Sequence, residues 1–220
     1  MKRKIIFLIA ILTCLISSSL LVSQARAGDS PELLQALKAS DAQLDSLGKT
    51  IGGYPPKFSG AAEKQQVETQ LKATLKNLND LALKNPNHAG IELRLGDAYL
   101  MAHNLDWPNA GENAEKNLKQ SIEHNPSDAR AHEVLGRLFV NSNPELAPAA
   151  EKEFNKVLEL ANGNKGLMAA AYQGLFFANY YQGKMKEAVA QADLYLKIDP
   201  SDAGIKKLRD IAQEKSQTKK

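Results

Sequence analysis

Four histidines, one cysteine and scattered carboxylates are the side chains of this 220-residue chain best equipped for chemistry. A metal site or an acid–base pair would need two or three of them at fixed spacing. His132-Glu133 opens like the helix of a zinc protease, but the second histidine of that motif would stand at position 136, which is Gly136. His88, His103 and His124 form no pair at ligand spacing on one helix. Gly163-Asn164-Lys165-Gly166 lacks the spacing of a phosphate loop, and no serine lies in a Gly-x-Ser-x-Gly turn. Glu112, Glu115 and Glu123 read as acids on a solvated helix face. The sequence therefore predicts no catalytic residue, no metal ligand and no cofactor site: a chain that is not an enzyme.

Cys14 lies within an uncharged apolar run, Ile5 to Val22, which follows the basic segment Met1-Lys2-Arg3-Lys4 and precedes Ala25-Arg26-Ala27. That order is the pattern of a secretory signal peptide, with cleavage expected before Gly28. A membrane anchor over residues 5–22 is the alternative, and the run is near the lower limit for a bilayer span. Ser17-Ser18-Ser19 and the small-x-small site favour cleavage. Leu12-Thr13-Cys14 is a poor lipoprotein box because the apolar run continues past it. Without residues 1–27 the chain has no cysteine, hence no disulfide or thiol chemistry.

The segment also carries the excess charge. The whole chain has 28 basic and 25 acidic side chains, and without Lys2, Arg3, Lys4 and Arg26 the balance is 24 to 25. No basic stripe remains to neutralise phosphates, which excludes nucleic acid as a partner. Membrane contact is expected only through the signal segment, if that is retained.

What remains is one amphipathic segment after another, with Pro and Gly falling between them and no strand-like alternation. Three turn signals recur, Asn85-Pro86-Asn87, Asn125-Pro126-Ser127-Asp128 and Asp199-Pro200-Ser201-Asp202, each able to stop one helix and cap the next. Ser30-Pro31-Glu32 starts an earlier helix whose stripe is Leu33, Leu34, Leu37, Leu44 and Leu47. Gly52-Gly53-Tyr54-Pro55-Pro56 breaks it, and a second helix runs from Ala61 to Leu83.

Residues 89–128 contain Leu95-Gly96-x-x-Tyr99, then Ala114, Leu118 and Pro126. Residues 129–168 contain Leu135-Gly136-x-x-Phe139, then Ala150 and Phe154. Residues 169–202 contain Tyr172, Leu175, Gly183, Ala188 and Pro200. This tandem pattern resembles the tetratricopeptide repeat (TPR) family, whose unit is a helix pair of about 34 residues. The resemblance implies an all-α, right-handed α-solenoid of antiparallel helix pairs. Residues 28–88 would be an N-terminal pair, either a cap or a degenerate repeat. Residues 89–202 would be three repeats, and residues 203–220 a capping helix with a frayed tail. In the third repeat Phe176 stands where the family has Gly, and Ala192 where it has a large residue. Large and small have exchanged there, or the register slips around Gly174-Leu175.

The family binds proteins or peptides on the first helix of each pair. Carried over by position, the resemblance assigns partner binding to Leu93, Arg94, Asp97 and Met101 in the first repeat. In the second it assigns Arg130, Glu133, Arg137 and Asn141, and in the third Gln173, Phe177, Tyr180 and Tyr181. Leu93 and Asp97 occupy positions where the family's carboxylate clamp has Lys and Asn, so the chain departs from that subgroup. The three aromatics have a second reading, packing against the capping helix. Trp107, in the turn Asn104-Leu105-Asp106-Trp107-Pro108, either docks onto the first repeat or is an accessory contact. The expected function is that of a non-catalytic interaction module of the cell envelope with an unnamed protein partner. A structural subunit of an envelope secretion or outer-membrane assembly complex is the alternative.

Overall fold

The computed structural model describes residues 28–218. The segment expected to be a signal peptide, with its apolar run, Cys14 and cleavage site, lies outside the described residues, as do Lys219 and Lys220. The described chain is helical throughout: α1 (Pro31–Ile51), α2 (Ala61–Lys84), α3 (Ala89–Asn104), α4 (Ala110–His124), α5 (Ala129–Ser142), α6 (Ala147–Leu160), α7 (Lys165–Tyr181), α8 (Met185–Ile198) and α9 (Ala203–Thr218). A short 3-10 turn, Pro144–Leu146, leads into α6. The last helix runs through Gln217 and Thr218, which the sequence alone assigns to a frayed tail.

The turn residues explain where these helices begin, because the first N–H groups of a helix need acceptors from outside it. Ser30 Oγ accepts from the Leu33 amide at 3.2 Å, with Pro31 in the first turn, where no N–H is needed. Asp128 Oδ1 accepts from the Arg130 amide at 2.9 Å. Asp202 Oδ1 accepts from the amides of Gly204 at 2.8 Å and Ile205 at 2.9 Å. Asn164 does the same for α7, accepting from Leu167 at 3.1 Å. At α3 the cap is His88, whose Nδ1 accepts from the Ile91 amide at 3.3 Å, while the preceding Asn87 takes the left-handed turn position at φ 59.

The helices group into two compact units, residues 28–134 and 135–218, with the division inside α5. In the first unit α1 and α2 both pack on α3. Leu37, Leu44 and Ile51 of α1 share one core with Leu71 and Leu78 of α2 and Ile91 and Leu95 of α3. Each such leucine or isoleucine contributes about 1.5–3 kcal/mol on burial. The pair α3–α4 closes because position 96 has no side chain: a Cβ on Gly96 would lie 2.5 Å from Leu118 Cγ. Two buried side chains fasten the layers to each other's backbone, Asn104 Nδ2 donating to the Ile51 carbonyl at 2.9 Å and Ser121 Oγ to the Ala89 carbonyl at 3.0 Å.

The second unit repeats the device. The ring of Phe154 on α6 is almost wholly buried, at 1% exposure. A Cβ on Gly136 of α5 would meet that ring at 2.9 Å, and one on Gly174 of α7 would overlap it. Gly174 thus faces the helix before its own pair and is no counterpart of Gly96 and Gly136, which face their own. Phe176, at the position that would be the counterpart, is fully buried, as is Ala192. The last described helix, α9, packs on α8, and its Ile205, Leu208 and Ala212 are buried.

Candidate functional site

In the first unit the residues assigned to partner binding do not stand open. Arg94 of α3 is buried, and its Nη2 donates to Asp41 Oδ2 of α1 at 2.6 Å while Nη1 donates to the Gly90 carbonyl at 2.7 Å. Three residues on, Asp97 receives Arg130 Nη2 of α5 at 3.1 Å, and Arg130 Nη1 reaches Glu133 at 2.7 Å. Asp41, Arg94, Asp97, Arg130 and Glu133 therefore form a ladder of alternating charge across α1, α3 and α5. Only Arg130 keeps substantial exposure, 32% of its side chain. Met101 is a correction: it is 3% exposed and belongs to the hydrophobic core, because α1 covers that end of α3. Leu93 is buried too, and with Leu44 it forms an apolar wall beside the ladder.

Where α1, α3 and α5 converge, Asp41, Asp45, Asp97, Arg94 and Arg130 surround a small cleft of about 20 Å³. Two buried atoms of the ladder have no hydrogen-bond partner, Asp41 Oδ1 and Arg94 Nε. Sequence reasoning misses Asp41. Its signal is there: Leu37, Ser40, Asp41 and Leu44 share one stripe of α1, and an acid within an apolar stripe needs a cation from another element.

In the second unit Arg137, Asn141, Gln173, Phe177 and Tyr181 are each half-buried. Gln173, Phe177 and Tyr181 follow one another at four-residue steps on α7, with the two rings 6.4 Å apart. Burial, reinforced by the neighbouring Tyr180 phenol, pushes the Tyr181 hydroxyl above its ordinary pKa, so it remains a neutral hydrogen-bonding group. Tyr180 is the second correction. Its ring is buried and stacks on Phe176 at 5.9 Å, and the Lys215 ammonium of α9 lies over it at 4.6 Å and donates to its hydroxyl. The aromatic run is split: Phe176 and Tyr180 pack inward, while Phe177 and Tyr181 keep one side accessible.

The histidines serve structure. His88 joins its cap to a contact with Asp29 at 3.1 Å, and His124 pairs with Glu92 at 2.7 Å. His132 lies 3.3 Å from the Pro126 carbonyl. Burial pulls the His103 imidazole below its ordinary pKa, against the opposing pull of Asp106. Among the described residues no group of three His, Cys, Asp or Glu side chains is arranged to hold a metal ion. Trp107 docks: it is half-buried against the core of the first unit, with Lys72 Nζ 5.5 Å from its ring.

Antiparallel helix pairs held by glycine seats and Asn/Asp turns define an all-α repeat scaffold. The fold is that of TPR proteins: the chain is similar to the crystal structure of a thermophilic TPR protein in Thermus thermophilus, with a TM-score of 0.56 and 19% identity over 82% of this chain and 87% of that one. Family models and curated proteins give no match to the sequence.

Proposed function

We propose that the chain is an exported, non-catalytic adaptor of the cell envelope that holds a segment of a partner protein on the first helices of its pairs. The observation that carries this reading is the half-buried aromatic stripe of α7. Rings fixed by packing on one side and open on the other supply contact area at little further entropic cost, which is how interface anchors work. The TPR fold supports a protein partner in general. Export is supported by Lys2-Arg3-Lys4, the apolar run and Ala25-Arg26-Ala27. Intact-mass measurement of the protein from a producing cell is expected to show a chain beginning at Gly28. A mass that retains residues 1–27 would replace the exported form by an anchored one.

The partner itself is to be captured from envelope extracts and its binding measured by surface plasmon resonance. Phe177→Ala or Tyr181→Ala is expected to weaken binding by about 2 kcal/mol or more. Trp107→Ala, which alters a plug in the first unit, is the control. Loss of binding in the Trp107 variant with normal binding in both α7 variants would move the site to the inserted turn.

A further inference from the structure

The stripe on α7 carries no charge. Lys165 opens the helix and Lys184 follows it, and the 18 residues between them, 166–183, contain no acid and no base in a chain that is 24% charged. The charges at its borders are engaged: Lys184 Nζ meets Glu151 Oε2 at 2.9 Å, and the Lys215 ammonium is held by Tyr180. The stripe itself offers two neutral hydrogen-bonding groups, the Gln173 amide and the Tyr181 hydroxyl, which burial keeps protonated. Among the described residues none bonds the Gln173 side chain. A charged side chain brought to this face loses water and finds no counter-ion, so the face matches an uncharged segment.

Spacing narrows the conformation of that segment. The Phe177 and Tyr181 rings are 6.4 Å apart and tilted by 31°. Each is backed edge-on by an inner ring, Phe177 by Phe176 at 5.2 Å and Tyr181 by Tyr180 at 6.3 Å, so the pair is a fixed platform. In an extended chain alternate side chains share a face and stand about 6.4–6.8 Å apart. In a polyproline helix residues on one face recur every three positions, about 9.3 Å apart, and miss the rings. An α-helical segment repeats at about 6 Å, but its backbone groups are bonded internally. An extended backbone leaves N–H and C=O open, and the Gln173 amide, one step along the stripe, both donates and accepts. We infer that the α7 stripe receives an extended, uncharged segment with apolar side chains at alternate positions, one on Phe177 and the next on Tyr181, its backbone bonded by Gln173. The inference rests on the reading that first-helix faces hold a partner, and it adds the class of segment held.

The test uses the full chain, nitrogen-15 labelled, and blocked peptides of one composition. The alternating peptide is acetyl-Ser-Thr-Phe-Thr-Phe-Thr-Ser-amide. Its rearrangements are acetyl-Ser-Thr-Phe-Phe-Thr-Thr-Ser-amide, with adjacent rings, and acetyl-Ser-Phe-Thr-Thr-Thr-Phe-Ser-amide, with rings four apart. The alternating peptide is expected to move the amide resonances of residues 173–181 and to bind about fivefold tighter than either rearrangement, as for one aromatic contact. Replacing both serines, which face α7 in either chain direction, by glutamate or by lysine is expected to weaken it about tenfold. The same two charges on the outer threonines, which face away, are expected to change binding by under about twofold. Phe177→Ala is expected to erase the difference between the three arrangements, with the spectrum itself reporting whether the variant is folded.

Equal binding of the three arrangements, or tightest binding with rings four apart, would overturn the extended register. Charges that weaken binding no more on the serines than on the threonines would overturn the neutral face. If no peptide moves residues 173–181 while Phe177→Ala still weakens the captured partner, the class of segment is wrong and the reading of first-helix faces stands. If the alternating peptide binds as expected and the captured partner binds the α7 variants normally, the class of segment holds and that reading fails.

Discussion

Phe154→Ala is expected to destabilise the 135–218 unit by about 3–5 kcal/mol, towards the upper end of that range. The cost of removing a buried ring depends on how far its neighbours can collapse into the space. Here two of the neighbours are Gly136 and Gly174, which have no side chain to move inward. The cavity stays open and α5, α6 and α7 lose a common contact. The reverse change makes the same point: Gly174→Ala puts a methyl into the ring and is expected to cost about 1–3 kcal/mol by overpacking. Phe154→Leu combined with Gly174→Ala should cost less than the sum of the two alone, because the sites touch. Urea melts of the single and double variants measure all three. Additive costs would show that the glycine does not seat the ring.

The second large effect lies in the other unit. Arg94→Ala leaves the Asp41 carboxylate buried without the guanidinium it pairs with, and is expected to cost about 3–5 kcal/mol. Replacing both partners by apolar residues of similar bulk, Asp41→Leu with Arg94→Met, is expected to be close to neutral, since the desolvation of both charges is then avoided. The same melts decide it: a double variant as unstable as Arg94→Ala would mean that the pair is a net stabiliser. Charge reversal at Arg94 is expected to be harsher still. An exposed arginine reversed to glutamate alters the rate of encounter, but at this position the reversal adds a second buried acid, and the unit itself is expected to fail.

Some of this was legible in the residues. Leu95-Gly96 and Leu135-Gly136 mark the repeat in the sequence, and in the structure Leu118 and Phe154 are what the two glycines approach. Asp128 and Asp202 sit in turn signals and do cap the next helices. At the first turn the cap passed to His88, because Asn87 was taken by the left-handed position that asparagine tolerates. What spacing along one helix does not encode is what covers a given face. Met101 and Tyr180 stand at binding positions by register, yet α1 covers the first and α9 the second. The Asp41–Arg94 pair joins residues 53 apart in sequence, beyond the reach of any periodicity argument.

The docked Trp107 makes the two units optically distinct. It is the one tryptophan of the chain, and it sits against the core of residues 28–134. Its fluorescence therefore follows the melting of that unit alone, while far-ultraviolet ellipticity follows helices in both. Repeat stacks lose cooperativity when neighbouring units differ in stability. With this built-in reporter, the Arg94 variants register first in emission and the Phe154 variants first in ellipticity, so one unlabelled sample distinguishes unzipping unit by unit from collapse in a single step.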